Sequence, residues 1–296
     1  MKHDFDKWKK IRFTALLGLL LANPLQAQDL IEQGAEVELL SDAFTFTEGP
    51  IADANGNVYF SDIPANRIHV WTLEGELETF RENSNSANGL FFDQDWRLHA
   101  AEGGGRITRM NDMAEVTVLS DSYDGAPYNS PNDLWIDGEG GIYFSDPRYG
   151  NESNLPQPGY YVYYLAPGAE QAQLIITDLE RPNGIIGTRD GDTLYVADHG
   201  GNRTYAYDIN APGELGDRRV IANQGSDGVT LDENGNLYLT EGRNINIYSS
   251  LGQPLQSLTF PMAPANMTFG GPNRDILFVT ARSHLYALEM NVRGMY

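Results

Sequence analysis

The chain has 296 residues and carries a formal net charge of −21 with no cysteine. That charge argues against nucleic acid and anionic membrane surfaces as partners, and the missing thiols exclude disulfides, a cysteine nucleophile and Cys-ligated zinc or iron–sulfur centres. Every lysine lies near the N-terminus, at Lys2, Lys7, Lys9 and Lys10, so the rest of the chain cannot form a lysine Schiff base, pyridoxal phosphate included.

Residues 1–27 read as a secretory signal peptide. The lysines and Arg12 precede an uncharged apolar run from Phe13 to Ala22, and Pro24 to Ala27 leads to a cleavage site after Ala27. The run falls far short of the ~20 apolar residues that a spanning helix needs. The expected location is therefore periplasmic or secreted, with no membrane partner once the leader is gone. Oligomeric state is not legible.

Residues 28–296 are expected to form one domain, without a linker or a long amphipathic helix. Ala35 to Phe44 alternates like a strand, and six copies of one unit follow it. The copies begin TEGPIADANGNVYFSD, SANGLFFDQDWRLHAAE, SPNDLWIDGEGGIYFSD, RPNGIIGTRDGDTLYVAD, SDGVTLDENGNLYLTE and PANMTFGGPNRDILFVTA. In the third, Ser130 to Gly150 gives a polar mouth at Asn132 and Asp133, a strand from Leu134 to Asp137, a Gly-rich turn, and a second strand from Ile142 to Asp146. The mouth residues are Glu48, Asn88, Asn132, Asn183, Asp227 and Asn266, separated by 40, 44, 51, 44 and 39 residues. That period suits a repeated four-stranded β unit. A turn residue always follows the mouth by seven positions, at Asn55, Asp95, Glu139, Asp190, Asn234 and Asn273.

Short strands cannot bury both faces alone, and radial stacking of such units closes a propeller of ~4 to 8 blades. The six copies predict an all-β, six-bladed β-propeller with four-stranded antiparallel blades. The last copy ends near HLYALEM, one strand short, so the N-terminal segment is expected to supply the outer strand of blade six and remove an exposed edge. If each copy opens with the innermost strand of its blade, the mouth residues ring one end of the channel. The loops after the second strands return to that end, carrying Arg148, Tyr149, His199 and Arg282. The longest step places extra chain after Asp146, where Pro156, Pro158 and Gly159 argue for a loop that is either a lid or a tolerated insertion. His69 and His99 are read as structural, and His284 is left unassigned.

No G-x-S-x-G elbow, H-E-x-x-H helix or phosphate loop occurs, and Gly103 to Gly105 lacks the strand-then-helix setting of a dinucleotide site. DANGN and DENGN lack EF-hand spacing and fall where hairpin turns belong. The ring carries the chemistry. Glu48, Asn132, Asn183 and Asp227 offer two carboxylates and two amides, a hard oxygen set suited to a divalent cation of calcium type. Spacing alone fits equally well four polar side chains that cap strand ends.

T-E-G-P, S-P-N-D with Y-F-S-D-P-x-Y-G, R-P-N-G with L-Y-V-A-D, and S-D-G with N-L-Y-L-T occur in this order. Together they resemble the bacterial gluconolactonase branch of the senescence marker protein 30 (regucalcin) and gluconolactonase family. The resemblance implies a calcium-type ion on the propeller axis, with Mg2+, Mn2+ or Zn2+ as other candidates, held at the positions of Glu48, Asn183 and Asp227. Asn132 matches a position that binds substrate or metal. An arginine that contacts sugar in animal members is Ser130 here.

A sugar lactonase of the gluconolactonase type is expected, its cation polarising the lactone carbonyl for attack by water. Asp227 is the candidate general base and Glu48 an electrostatic ligand. Asn132, Asn88, Arg148, Tyr149 and His199 are the candidate substrate contacts. Two alternatives are a phosphotriesterase or aryl-ester hydrolase on the same site, and a non-catalytic propeller that docks a sugar or a partner. Two carboxylates in the ring favour an enzyme, since a pure binder has no need of an activated water.

Overall fold

A computed structural model describes residues 29–296. The expected leader, residues 1–27, lies outside the described residues. Among those described there is no α-helix, and six four-stranded antiparallel sheets form the blades. Blade one comprises Thr47–Ala52, Val58–Asp62, Arg67–Trp71 and Leu77–Glu82. The same order repeats in blades two to five, which open on Ala87–Phe92, Leu134–Ile136, Pro182–Gly187 and Val229–Leu231. Blade six holds Asn266–Gly270, Ile276–Ala281 and His284–Glu289. Its fourth strand is Glu38–Ser41, paired antiparallel with His284–Glu289, so the N-terminal segment closes the ring as its alternation suggested.

Burial falls from the axis outward. The first strand of blade one is buried at every position, whereas Leu77–Glu82 on its rim is mostly exposed. An inner strand can therefore be apolar on both faces (LWI), while the rim carries charge. The axis is crowded. A Cβ on Gly49, whose φ is +50°, would meet the Asn88 carbonyl oxygen at 2.0 Å, and one on Gly228 would meet Asn266 Oδ1 at 2.2 Å. Only glycine permits that approach.

The hairpin turns are fastened by aspartates. Asp53 Oδ1 accepts from the amides of Asn55, Gly56 and Asn57, and Asp232 Oδ1 from those of Asn234 and Asn236. DANGN and DENGN are thus turns, their carboxylates spent on local backbone. In blade three Gly141 replaces the side chain that would reach back, and Asp137 Oδ2 is left buried without a partner.

The chain beyond blade six was unassigned by sequence reasoning, and it closes the channel at the end opposite the mouth. The Met295 amide donates to Leu231 O at 3.0 Å, and Arg274 Nη1 donates to Tyr296 O at 2.7 Å. The Tyr296 hydroxyl donates to Gly187 O at 2.7 Å and accepts from Trp135 Nε1 at 2.9 Å, and its ring meets Phe91 edge-on at 5.2 Å. One residue thereby touches blades two, three, four and six. Tyr296→Phe should cost about 1–3 kcal/mol by orphaning the Trp135 N–H and the Gly187 carbonyl. Denaturant titration checks this, and an unmoved midpoint would show that the hydroxyl's two hydrogen bonds add no stability.

Candidate functional site at the channel mouth

Each mouth residue is held by its own blade. Asp62, Asp146 and Asp198 end second strands and face back toward the mouth. Asp62 accepts from the amides of Thr45 and Phe46 at 2.9 and 3.0 Å, and Asp146 from those of Asn129 and Ser130 at 2.8 and 2.7 Å. Asp198 accepts from Glu180 and Arg181 at 3.1 and 2.8 Å. In each case the two amides lie three and two residues before the mouth residue, which fixes the backbone leading into Glu48, Asn132 and Asn183. Blade five uses hydroxyls instead, with Thr240 N donating to Ser226 Oγ at 2.7 Å and Asp227 N to Thr240 Oγ1 at 3.2 Å. Neighbouring blades are stapled as well: Ser61 Oγ donates to Asn88 O at 2.8 Å, and Ser145 Oγ to Asn183 O at 2.7 Å.

On this frame Glu48, Asn132 and Asn183 are buried and Asp227 is partly buried. Asn183 Nδ2 donates to Asp227 Oδ1 at 2.6 Å and to the Tyr149 hydroxyl at 2.8 Å. Both amide hydrogens are then used, and Asn183 Oδ1 is left as a free acceptor. Glu48 Oε2 accepts from Gly49 N at 3.1 Å. Burial holds the Glu48 carboxyl well above its usual value, and the negative charge of Asp227 adds to the rise. Burial also raises Asp227, partly offset by the Asn183 hydrogen bond and by the charges of His199 and Arg282.

Two further polar residues of the ring, named at the mouth by the sequence but given no role there, are Asp133 and Asn266. Asp133 is buried beside Asn132, its oxygens accepting from Leu134 N at 2.9 Å and Ile185 N at 3.3 Å, and burial pushes its carboxyl up to about 7. The signal lay in the repeat itself: glycine follows the mouth residue at Gly49, Gly89, Gly184 and Gly228, and blade three puts Asp133 there. Asn266, the sixth mouth residue, turns its side chain toward Glu48. Below the ring a cavity of about 30 Å³, reached by Asp133, Asn266 and Tyr296, has room for one or two waters.

The remaining predicted residues divide. Tyr149 joins the ring through Asn183, and the exposed His199 lies edge-on to its ring at 6.1 Å. Burial of its hydroxyl raises the Tyr149 phenol, so it remains a protonated donor through the neutral range. Arg148 turns elsewhere, donating from Nε and Nη2 to Asn129 O at 3.0 and 2.6 Å. The side chains of Asn88 and Asn132 make no hydrogen bond to the described residues, which leaves both amides available to a ligand. His69 and His99 are buried and keep their imidazoles less basic than usual, His99 at about 4, mainly through burial. His284 stacks on Tyr286 and contacts Ser283 Oγ through Nδ1 at 3.0 Å.

Among the described residues no three His, Cys, Asp or Glu side chains cluster closely enough to hold a metal by themselves. The mouth offers a mixed set of two carboxylates and two amides. It fits a hard cation on electrostatic grounds, because burial raises both carboxyls and the charge of Asp227 raises Glu48 further, and a positive ion between them relieves both effects.

A family profile described as SMP-30/Gluconolactonase/LRE-like region matches residues 46–283. A gluconolactonase of Zymomonas mobilis is 28% identical over 300 aligned positions, covering 90% of this chain and 84% of the relative. A solved structure of a gluconolactonase from Xanthomonas campestris superposes with a TM-score of 0.82 at 28% identity, covering 88% of this chain and 91% of that one. A structural-genomics gluconolactonase candidate superposes with a TM-score of 0.84 at 32% identity, covering 90% and 96%.

Proposed function

The chain belongs to the SMP-30/gluconolactonase family, and on that premise we propose that it hydrolyses a sugar lactone at the channel mouth, with a divalent cation, calcium first, seated among Glu48, Asn183, Asp227 and Asn132. The observation that carries this reading is the facing of the buried Glu48 carboxylate and the partly buried Asp227 carboxylate beside an amide whose oxygen is unspent. The cation supplies Lewis acidity toward the lactone carbonyl oxygen.

The chain's own groups supply the rest. Asn183 Nδ2 occupies Asp227 Oδ1, which leaves Oδ2 to accept the proton of the attacking water. The water oxygen bonds to the carbonyl carbon, the carbon–oxygen ring bond then breaks, and the departing alkoxide takes the proton held on Asp227 to give the open hydroxy acid. The amides of Asn132 and Asn88 and the Tyr149 hydroxyl orient the sugar hydroxyls. The tail at Tyr296 closes the opposite end, so substrate and product use the mouth alone.

Turnover of a panel of sugar lactones, aromatic lactones and phosphotriesters, with and without chelator, tests this reading. Hydrolysis confined to phosphotriesters or aryl esters would replace it with the alternative hydrolase, and no turnover of any member would leave a binding propeller. The leader further supports export. Its removal is checked by the mature N-terminus, expected just after Ala27.

A further inference from the structure

The extra chain between Asp146 and Tyr161 is built in two halves that are held by different means. The later half is buttressed from below: Gln157 is buried, its amide donates to Asn129 Oδ1 at 3.0 Å, and its Nε2 donates to the carbonyls of Tyr123 and Ala126 at 3.0 and 2.9 Å. The earlier half, Tyr149 to Glu152, is exposed. It is gripped by Arg181, which comes from the next blade. The Arg181 guanidinium pairs with Glu152 Oε1, lies 3.4 Å from the Tyr160 hydroxyl, and sits 5.2 Å from the Tyr149 ring centre and 5.0 Å from that of Tyr160. Its own backbone is fixed by Asp198, which accepts from Arg181 N at 2.8 Å, and by the His199 amide, which donates to Arg181 O at 3.0 Å.

Arg181 stands two residues before Asn183, so one rigid strand start carries both a ring residue and the grip on the loop. Between them lies Tyr149, stacked on the first and hydrogen-bonded to the second. Because the Tyr149 oxygen accepts from Asn183 Nδ2, its own hydrogen is free to donate into the mouth.

We propose that Arg181 is a positioning residue that holds Tyr149 as a fixed, hydrogen-bonding wall of the mouth, and that this wall selects compact polyhydroxylated lactones over aromatic ones. The inference rests on the lactonase reading and deepens it. A sugar lactone gains the Tyr149 donor only while the ring is held in place, and a lactone without hydroxyls gains nothing from it. A planar guanidinium is needed to stack on two rings and bond a carboxylate at once. Lysine cannot do both.

The test compares D-glucono-1,5-lactone with dihydrocoumarin in the wild type, Arg181→Gln, Arg181→Lys and Glu152→Gln. Losing one positioned hydrogen bond should raise KM for the sugar lactone about 10-fold in Arg181→Gln with kcat within about 3-fold, and leave dihydrocoumarin nearly unchanged. Glu152→Gln should move in the same direction by a smaller factor, and Arg181→Lys should not rescue. An unchanged ratio between the substrates, or an equal fall of both, overturns the proposal. Should the wild type hydrolyse neither lactone, the lactonase reading fails by itself. Limited proteolysis then decides the grip separately: cleavage after Tyr149 and Glu152 in this exposed segment must speed up in Arg181→Gln, and equal cleavage refutes it.

Discussion

Asp227→Asn is expected to hold kcat down by ~10²-fold or more even when the cation site is saturated, the usual contribution of a positioned general base. The substitution keeps the shape and one ligand oxygen, and it removes a negative charge and the capacity to take a proton. Asn183 already donates to Oδ1 at 2.6 Å, so the second oxygen is the one that meets water, and in the variant an amide nitrogen can stand there. Glu48→Gln serves as the comparison. Glu48 is buried against Gly49 and Asn266 and is given no proton to move, so its variant should bind calcium more weakly and regain most of its turnover as calcium is raised. Calcium titrations of kcat for both variants separate ligation from base catalysis. Full recovery of Asp227→Asn at saturation would remove it as the base and leave water activation to the ion.

The architecture was legible because it is written six times. A mouth residue, a turn seven positions later and, in five of the six copies, a second strand ending in an acid are local patterns, and stacking them leaves few alternatives to a ring. The odd strand Glu38–Ser41 was legible for the same reason: a copy one strand short demands a partner. What escaped depends on chain segments meeting from afar. The role of Asp62, Asp146 and Asp198 as latches on the mouth backbone requires knowing that the second strand returns beside residues 16 to 18 positions earlier. Arg181 looked like the ordinary lead-in to R-P-N-G, and only the folded loop shows Tyr149 and Tyr160 on either side of it. Tyr296 lies outside the repeat altogether, and its partners in blades two, three, four and six are up to 205 positions away. Asp133 was the exception, since its departure from the glycine at that place could be seen in the aligned copies.

Stripping divalent cation should abolish lactone turnover and leave the blades folded, because the core is spread over six sheets and the ring is closed by the strand Glu38–Ser41 and the tail. The pH dependence gives this expectation a sign. Burial holds Glu48, Asp133 and Asp227 above the ordinary carboxyl values of 4.5, 3.8 and 3.8. Below those values the carboxyls are protonated in both folded and unfolded chains, and their full contribution to stability is present. As pH rises the unfolded chain ionises first, so stability drains away until the folded groups ionise in turn, at about 7 for Asp133. The apoprotein should therefore weaken between about pH 4 and pH 7 through these groups. Calcium should reverse that trend, since it binds the ionised carboxylates of the folded state, adding about 2.7 kcal/mol at a hundredfold excess over Kd. Denaturant midpoints across this range, with chelator and with calcium, read both effects. Undiminished activity in protein shown metal-free by elemental analysis would refute the cation. A calcium-independent pH slope would place the ionising groups away from the mouth, because only carboxylates that share the ion can have their protons displaced by it.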